Sequence, residues 1–197
     1  MSTTIESIRN GVDTEKLFAT LDAVKAQPEL GTFQFRVRNR WLGGAHNRST
    51  IQDFYAAGGE DGSRAAAFEL DAGEPPILIG ANEAPNPAEQ LLHALAACLT
   101  TSLVYVAAAR GIHLTRVESR LEGDMDVRGA LGLSDEVRNG FEQIRVTFEV
   151  EGDAPAEKLN ELVERAKARS AVFDMVTHGV PVQIGVGAWR AHPASTR

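Results

Sequence analysis

The strongest nucleophile in this chain of 197 residues is its only cysteine, Cys98. The thiolate is the reactive form of cysteine, and an ordinary thiol ionises with a pKa of about 8.5, so a reactive cysteine needs a cation close to its sulfur. A lone cysteine excludes both an intramolecular disulfide and a cysteine-rich zinc site. Two interpretations follow for Cys98: a working thiol, or a small apolar residue in a packed core.

The five histidines give no pattern typical of a metal site or of a general base. His93 precedes Cys98 by five residues, about 140° around a helix, which favours a polar core or interface position over a role as its base. His46 stands beside a predicted turn, where it could line a pocket. The sequence has no His-x-x-x-His, Cys-x-x-Cys, Gly-x-Ser-x-Gly or phosphate-loop spacing. We therefore expect no metal and no cofactor.

Cys98 lies within the most apolar predicted helix, over residues 88–109. Pro87 suits the first helical position because a proline needs no hydrogen-bond partner for its nitrogen there. Leucines on two adjacent stripes make the helix apolar on most sides, a pattern typical of a buried helix. One small sheet would not cover it, so we expect it to pack against its own copy in a dimer.

The elements around this helix predict the α+β class. Residues 1–30 form a helical extension, with Asp13 or Thr14 as the cap of a helix that ends near Pro28. Alternating apolar residues predict a three-stranded antiparallel meander over 32–71, two strands at 114–127 and 141–151, and a final strand that contains Val182, Ile184 and Val186. A second helix runs from about Pro155 to Gly179.

Charge and hydropathy limit the classes of partner. A net charge of −7 argues against nucleic acid. The first residues lack the pattern of a secretory signal, and we read no apolar run as long enough to span a membrane. The expectation is a cytoplasmic protein without a membrane partner.

The segment NPAEQLLHALAACLTT, residues 86–101, resembles the active-site helix of the OsmC and organic hydroperoxide resistance superfamily. The similarity extends over about residues 31–188 and includes the Trp-Leu-Gly-Gly turn at 41–44 and the segments 122–126 and 169–182. It implies an OsmC-like domain at 31–190, followed by a tail at 191–197. It also implies an intertwined homodimer, in which antiparallel sheet wraps around the two central helices.

The resemblance also implies a reaction, in which the cysteine attacks the O–O bond of a hydroperoxide and becomes a sulfenic acid. In the best-known members an Arg–Glu pair activates this cysteine and a second cysteine resolves it. Here the second cysteine's position is Ser170, so an external thiol must act as the reductant. The arginine's position falls on Ala45, which leaves Arg48 as the candidate activator and Arg64 as a poorer one.

The glutamate's position falls on Ala88, next to Glu89, which we take as the candidate orienting acid; the alternative is an acid that the helix dipole favours in the first turn. Leu95, Leu99, Phe173 and His46 are the candidate pocket residues. The first hypothesis is a single-cysteine peroxidase for organic hydroperoxides. The second is a redox-inactive OsmC-like protein that binds a small apolar ligand at the dimer interface.

Overall fold

The computed structural model describes residues 7–187, and within them antiparallel strands occur in runs that are separated by helices, as is typical of the α+β class. The predicted class is confirmed. The strands are β1 (Ile8–Arg9), β2 (Val12–Asp13), β3 (Gln34–Phe35), β4 (Arg38–Gly43), β5 (His46–Ile51), β6 (Phe54–Ala56), β7 (Gly59–Asp61), β8 (Phe68–Ala72), β9 (Leu114–Asp124) and β10 (Gln143–Gly152). The helices are α1 (Thr14–Ala26), α2 (Pro87–Ala109), α3 (Val127–Ala130), α4 (Ala156–Arg169) and α5 (Ala171–His178).

The described residues form two compact units, and the boundary between them crosses α1 near its start and α2 at its first residue. Unit 1 comprises residues 7–18 and 88–178, and unit 2 comprises residues 19–87 and 179–187. The domain boundaries predicted at residues 30 and 190 stay predictions. The predicted tail at 191–197 lies outside the described residues.

The core of unit 1 is built where α2 packs on α4. Leu103 and Ala107 of α2 are fully buried together with Leu162 and Ala166 of α4. Apolar residues of the β9–β10 hairpin, Phe148 among them, pack against this group. The hairpin pairs from Asp124 opposite Gln143 to Leu114 opposite Gly152, as the alternation of its residues predicts. The second half of α2 is therefore anchored by both α4 and the hairpin.

The N-terminal extension begins with a β-hairpin that the prediction of a helical segment missed. Asn10 and Gly11 form its two-residue turn, with φ of 52° and 77°, the positive values that a type I′ turn requires. The side-chain Nδ2 of Asn10 donates to the carbonyl of Ile112 at 2.9 Å, and its Oδ1 accepts from the backbone amide of Leu114 at 2.9 Å. The hairpin is thereby bonded to the chain that leaves α2. Helix α1 follows, and Asp13 caps it as predicted by accepting from the amide of Lys16.

Unit 2 contains two three-stranded sheets, with strand orders β4-β5-β8 and β3-β6-β7. The predicted single meander over 32–71 is therefore wrong. The segment 49–56 is divided between β5 and β6, which belong to different sheets. Turns at 44–45 and 57–58 join β4 to β5 and β6 to β7, the first of them at the end of the Trp-Leu-Gly-Gly segment.

Two elements near the C-terminus also differ from expectation. The helix predicted from about Pro155 to Gly179 is interrupted at Ser170, which separates α4 from α5. The final strand is not formed: residues 181–187 have no strand partner among the described residues, and Ile184 is 93% exposed. A strand needs a neighbour for its amides and carbonyls, and alternation of apolar residues alone does not supply one.

Helix α2 is also the one described helix that is long and apolar enough to cross a membrane, a test that core helices of soluble proteins pass as well. The prediction that no apolar run reaches that length is therefore wrong. The polar residues Glu89, Gln90 and His93 fall in the first two turns of α2 and leave the later turns apolar.

Candidate active site

Helix α2 carries Cys98 without interruption, since it begins at Pro87 and continues to Ala109. Leu95, Leu99 and Leu103 recur every four residues and are buried, whereas Cys98 lies beside this stripe and is only partly buried. Within the described residues of unit 1, the Cys98 sulfur has no hydrogen-bond or ion-pair partner. Cys98 thus lies at the margin of the packed face and is not fully enclosed in the core.

Glu89 is exposed in the first turn of the same helix. Nine residues separate it from Cys98, which corresponds to about 180° of rotation and about 13 Å of rise. Because the first turn is regular, the two side chains leave opposite sides of α2. A role for Glu89 at the thiol therefore requires the second copy of the chain, and its assignment as the orienting acid stays a prediction.

Arg48 belongs to a network on one face of the β4-β5-β8 sheet. Its Nε donates to Asp71 Oδ1 at 2.6 Å and its Nη2 to Asp71 Oδ2 at 2.9 Å, while Nη1 lies 3.3 Å from Glu69. His46 Nε2 is 3.2 Å from the same Asp71 carboxylate. The structure thus brings together two of the predicted site residues, His46 and Arg48, and joins them through Asp71.

The network shifts the ionisation of both partners. The hydrogen bond from Arg48, followed by that from His46, holds the pKa of the Asp71 carboxyl well below its usual range. The hydrogen bond to Asp71 raises the pKa of Arg48 in turn. The guanidinium is permanently charged, and within unit 2 that charge is directed at two carboxylates. Its assignment as the activator of Cys98 stays a prediction.

Arg64, the poorer candidate, is held by aromatic rings in unit 2. Its guanidinium carbon lies 4.8 Å from the ring centre of Phe54 and 5.4 Å from that of Phe68. It also donates to the backbone carbonyl of Gln52 at 3.1 Å. These cation–π contacts give Arg64 a structural role within unit 2.

Ser170, at the position of the family's second cysteine, is a capping residue. Its side chain is buried, and its Oγ accepts from the amide of Phe173 at 3.2 Å, while its carbonyl accepts from the amide of Asp174. These bonds satisfy amides of the first turn of α5. Phe173, a predicted pocket residue, is half-buried in that turn.

The two predicted pocket residues on α2 are buried within unit 1. Leu95 and Leu99 are only 2% and 4% exposed, so neither lines a cavity that opens to solvent. A groove of about 540 Å³ lies on the charged face of the β9–β10 hairpin, lined mainly by Glu118, Arg120, Glu122, Arg145 and Glu149. The pocket at Leu95, Leu99, Phe173 and His46 stays a prediction. The described residues also contain no group of three His, Cys, Asp or Glu side chains that could hold a metal ion.

The family model described as OsmC-like protein matches residues 80–185, which is more than half of the chain. The chain belongs to the OsmC family. The matched segment contains Cys98, Glu89, Ser170 and Phe173, whereas His46 and Arg48 precede it. The predicted family is confirmed.

Solved structures with the OsmC-like fold agree with this assignment. An OsmC-like protein from Mycoplasma pneumoniae has a TM-score of 0.56 at 14% identity, over 73% of this chain and 86% of that one. An OsmC-like protein of unknown function from Vibrio cholerae has a TM-score of 0.52 at 11% identity, over 73% of this chain and 94% of that one. A hypothetical protein from Aquifex aeolicus has a TM-score of 0.51 at 16% identity, over 73% and 87%. These likenesses show the fold alone. No curated sequence matches the chain at a significant level.

Sequence reasoning missed the acidic residues of this OsmC-like protein that partner Arg48. Glu69 and Asp71 alternate along β8, and Asp71 stands directly opposite Arg48 in the register. Alternation places both carboxylates on the arginine's side of the sheet, so the spacing Glu-Leu-Asp was an available signal. Glu74 was missed as well: its Oε2 is buried without a hydrogen-bond partner among the described residues.

Proposed function

We propose that this OsmC-family protein is a thiol peroxidase that reduces organic hydroperoxides through Cys98. The observation that carries the proposal is the placement of the only thiol. Cys98 lies within the family segment and on the long central helix, and it is partly accessible rather than enclosed. An accessible cysteine on a rigid helix presents its sulfur to a small peroxide at a defined position.

In the proposed reaction the Cys98 thiolate attacks one peroxide oxygen of ROOH, the O–O bond breaks, and the alkoxide leaves and takes a proton to become ROH. Cys98 is oxidised to a sulfenic acid. An external thiol then displaces water to form a mixed disulfide, and a second external thiol releases the reduced Cys98 and a small-molecule disulfide. Ser170 has no thiol to contribute, which makes the external reductant necessary.

The proposed assembly is a homodimer, the state known for OsmC-family proteins. In unit 2 the β4-β5-β8 sheet leaves one face apolar and uncovered: Trp41 is 73% exposed, and Phe68 and Leu70 are exposed as well. The segment 180–186 carries alternating apolar residues without a strand partner among the described residues. A second copy supplies the cover and the strand neighbour that one chain lacks.

Rapid mixing tests the proposal. Reduced protein is mixed with cumene hydroperoxide, and the sulfenic acid is trapped with dimedone and located by mass spectrometry. We expect oxidation of Cys98 at least about 100-fold faster than that of free cysteine, with slower oxidation by hydrogen peroxide. Cys98→Ser is the control without a thiol. A rate equal to that of free cysteine would overturn the proposal.

A second candidate, a redox-inactive ligand-binding protein, is favoured by one observation. No cation contacts the Cys98 sulfur within the described residues of unit 1, and Arg48 is directed at Asp71 and Glu69 within unit 2. On that reading Cys98→Ser retains the full cellular effect of the protein. Complementation of a deletion strain with this variant under peroxide stress separates the two candidates. The cytoplasmic location stays a prediction.

A further inference from the structure

The β4-β5-β8 sheet of unit 2 collects arginines on the side opposite its apolar face. The register pairs Arg40 with Arg48 and Arg38 with Thr50, and cross-strand partners project to the same side of a sheet. Arg38 and Arg40 are two residues apart on one strand, so they also share that side. We call this surface, formed by Arg38, Arg40, Arg48 and Thr50, the arginine face.

The charges of the arginine face are unequally compensated. Arg48 is neutralised by its contacts with Asp71 and Glu69 on the neighbouring strand β8. Arg38 and Arg40 are exposed and have no carboxylate partner among residues 7–187. They lie on the outer strand of the sheet, with Arg48 between Arg40 and the acids. Arg38 and Arg40 therefore present two uncompensated positive charges, although the whole chain carries a net charge of −7.

Arg38 and Arg40 place like charges on one side of the same strand, and an anion between them removes their repulsion. Residues two apart on a strand are separated by about 7 Å, so one phosphate group can accept hydrogen bonds from both guanidinium groups at once. A phosphomonoester carries a charge of about −1.5 to −2 at neutral pH, which matches two arginines; a carboxylate leaves one of them uncompensated. The hydroxyl of Thr50, opposite Arg38, is a further donor to the same group.

We propose that the arginine face binds a small phosphomonoester through Arg38 and Arg40. This function goes beyond the peroxidase reaction and does not depend on it. The face lies on the opposite side of the sheet from Trp41, Phe68 and Leu70, the residues that the proposed dimer covers. Assembly of the dimer through that apolar side leaves the arginines accessible.

Titration calorimetry of the full chain with phenyl phosphate, in a phosphate-free buffer of low ionic strength, tests this site. Charge-assisted hydrogen bonds contribute about 1.5–3 kcal/mol each, so we expect Arg38→Gln or Arg40→Gln to weaken binding at least about tenfold. The double variant should give no binding heat. The affinity of Arg40→Lys for phenyl phosphate should lie between that of the wild type and that of Arg40→Gln, because lysine keeps the charge and loses the planar guanidinium.

Arg120→Gln is the matched control, since Arg120 is an exposed strand arginine of unit 1 paired with Glu122. It should leave binding unchanged, as should Cys98→Ser. Benzoate, the carboxylate of similar size, should bind several-fold more weakly than phenyl phosphate. Three results would overturn the proposal: no binding by the wild-type chain, binding that the double variant retains, or equal binding of benzoate and phenyl phosphate. Circular dichroism shows that each variant is folded before titration.

Discussion

Replacement of Leu103 by alanine tests whether the second half of α2 is held by the packing seen in unit 1. Leu103 is fully buried and contacts the group formed with Leu162 and Ala166. Leu103→Ala removes three carbon atoms, which corresponds to about 2.4 kcal/mol of transfer free energy at about 0.8 kcal/mol for each buried carbon. The cavity that remains adds to this, so we expect the free energy of unfolding to fall by about 3–4 kcal/mol.

Urea unfolding followed by far-UV circular dichroism measures the loss, at one fixed protein concentration because assembly contributes to apparent stability. Leu133→Ala is the matched control: it makes the same change at a residue that is 71% exposed, and it should cost less than about 0.5 kcal/mol. A loss below about 1 kcal/mol for Leu103→Ala, or equal losses for the two variants, would refute the packing of α2 on α4.

Substitutions of Asn10, Asp71 and Ser170 each test the role of one residue. Asn10→Ala leaves the carbonyl of Ile112 and the amide of Leu114 without their partner, and it should cost about 1–3 kcal/mol in urea unfolding. Asp71→Asn should lower the free energy of unfolding at pH 7, and the difference from the wild type should shrink as the pH falls below about 4. A carboxyl whose pKa is depressed in the folded state stabilises the protein above its unfolded pKa and loses that contribution on protonation. Urea unfolding of both chains at pH 7 and pH 3 measures the difference. Ser170→Cys restores a thiol at the position of the family's second cysteine. Treatment of this variant with one equivalent of cumene hydroperoxide should produce a disulfide with Cys98, seen as a loss of 2 Da from the reduced chain. A chain that shows only the sulfenic acid contradicts the alignment of Ser170 with that cysteine.

The sequence was informative where a single segment determines its own structure. Helix α2 and the β9–β10 hairpin follow from continuous periodic patterns, and Asp13 caps α1 because its side chain reaches an amide three residues away. The Asn10-Gly11 turn was equally readable from the sequence, since Asn-Gly is the strongest signal of a two-residue hairpin. It was missed because residues 1–30 were treated as one helical segment.

Other features depend on contacts between distant segments, which no local pattern encodes. The helical periodicity of residues 155–178 continues through Ser170, and only the cap that Ser170 forms with Phe173 shows that the helix ends and restarts. The alternation of Val182, Ile184 and Val186 is typical of a strand, yet the single chain provides no neighbour among its described residues. The spacing Glu-Leu-Asp in β8 indicates two acids on one side of a strand, but the sequence alone does not pair that strand with β5, so Arg48 could not be identified as their partner.

The sequence predicts the family in more detail than it predicts the activity. A regular α2 directs Glu89 away from Cys98, and unit 1 places no charged partner on the sulfur among its described residues. If Cys98 reacts as a thiolate, the groups that stabilise the negative charge must come from outside unit 1, either from unit 2 or from a second copy of the chain. If the second copy supplies them, peroxidase activity depends on assembly. The specific rate of Cys98 oxidation should fall when the protein is diluted below the dissociation constant of the dimer, as measured by analytical ultracentrifugation. A rate for each thiol that stays constant through dissociation would show that one chain activates its own cysteine.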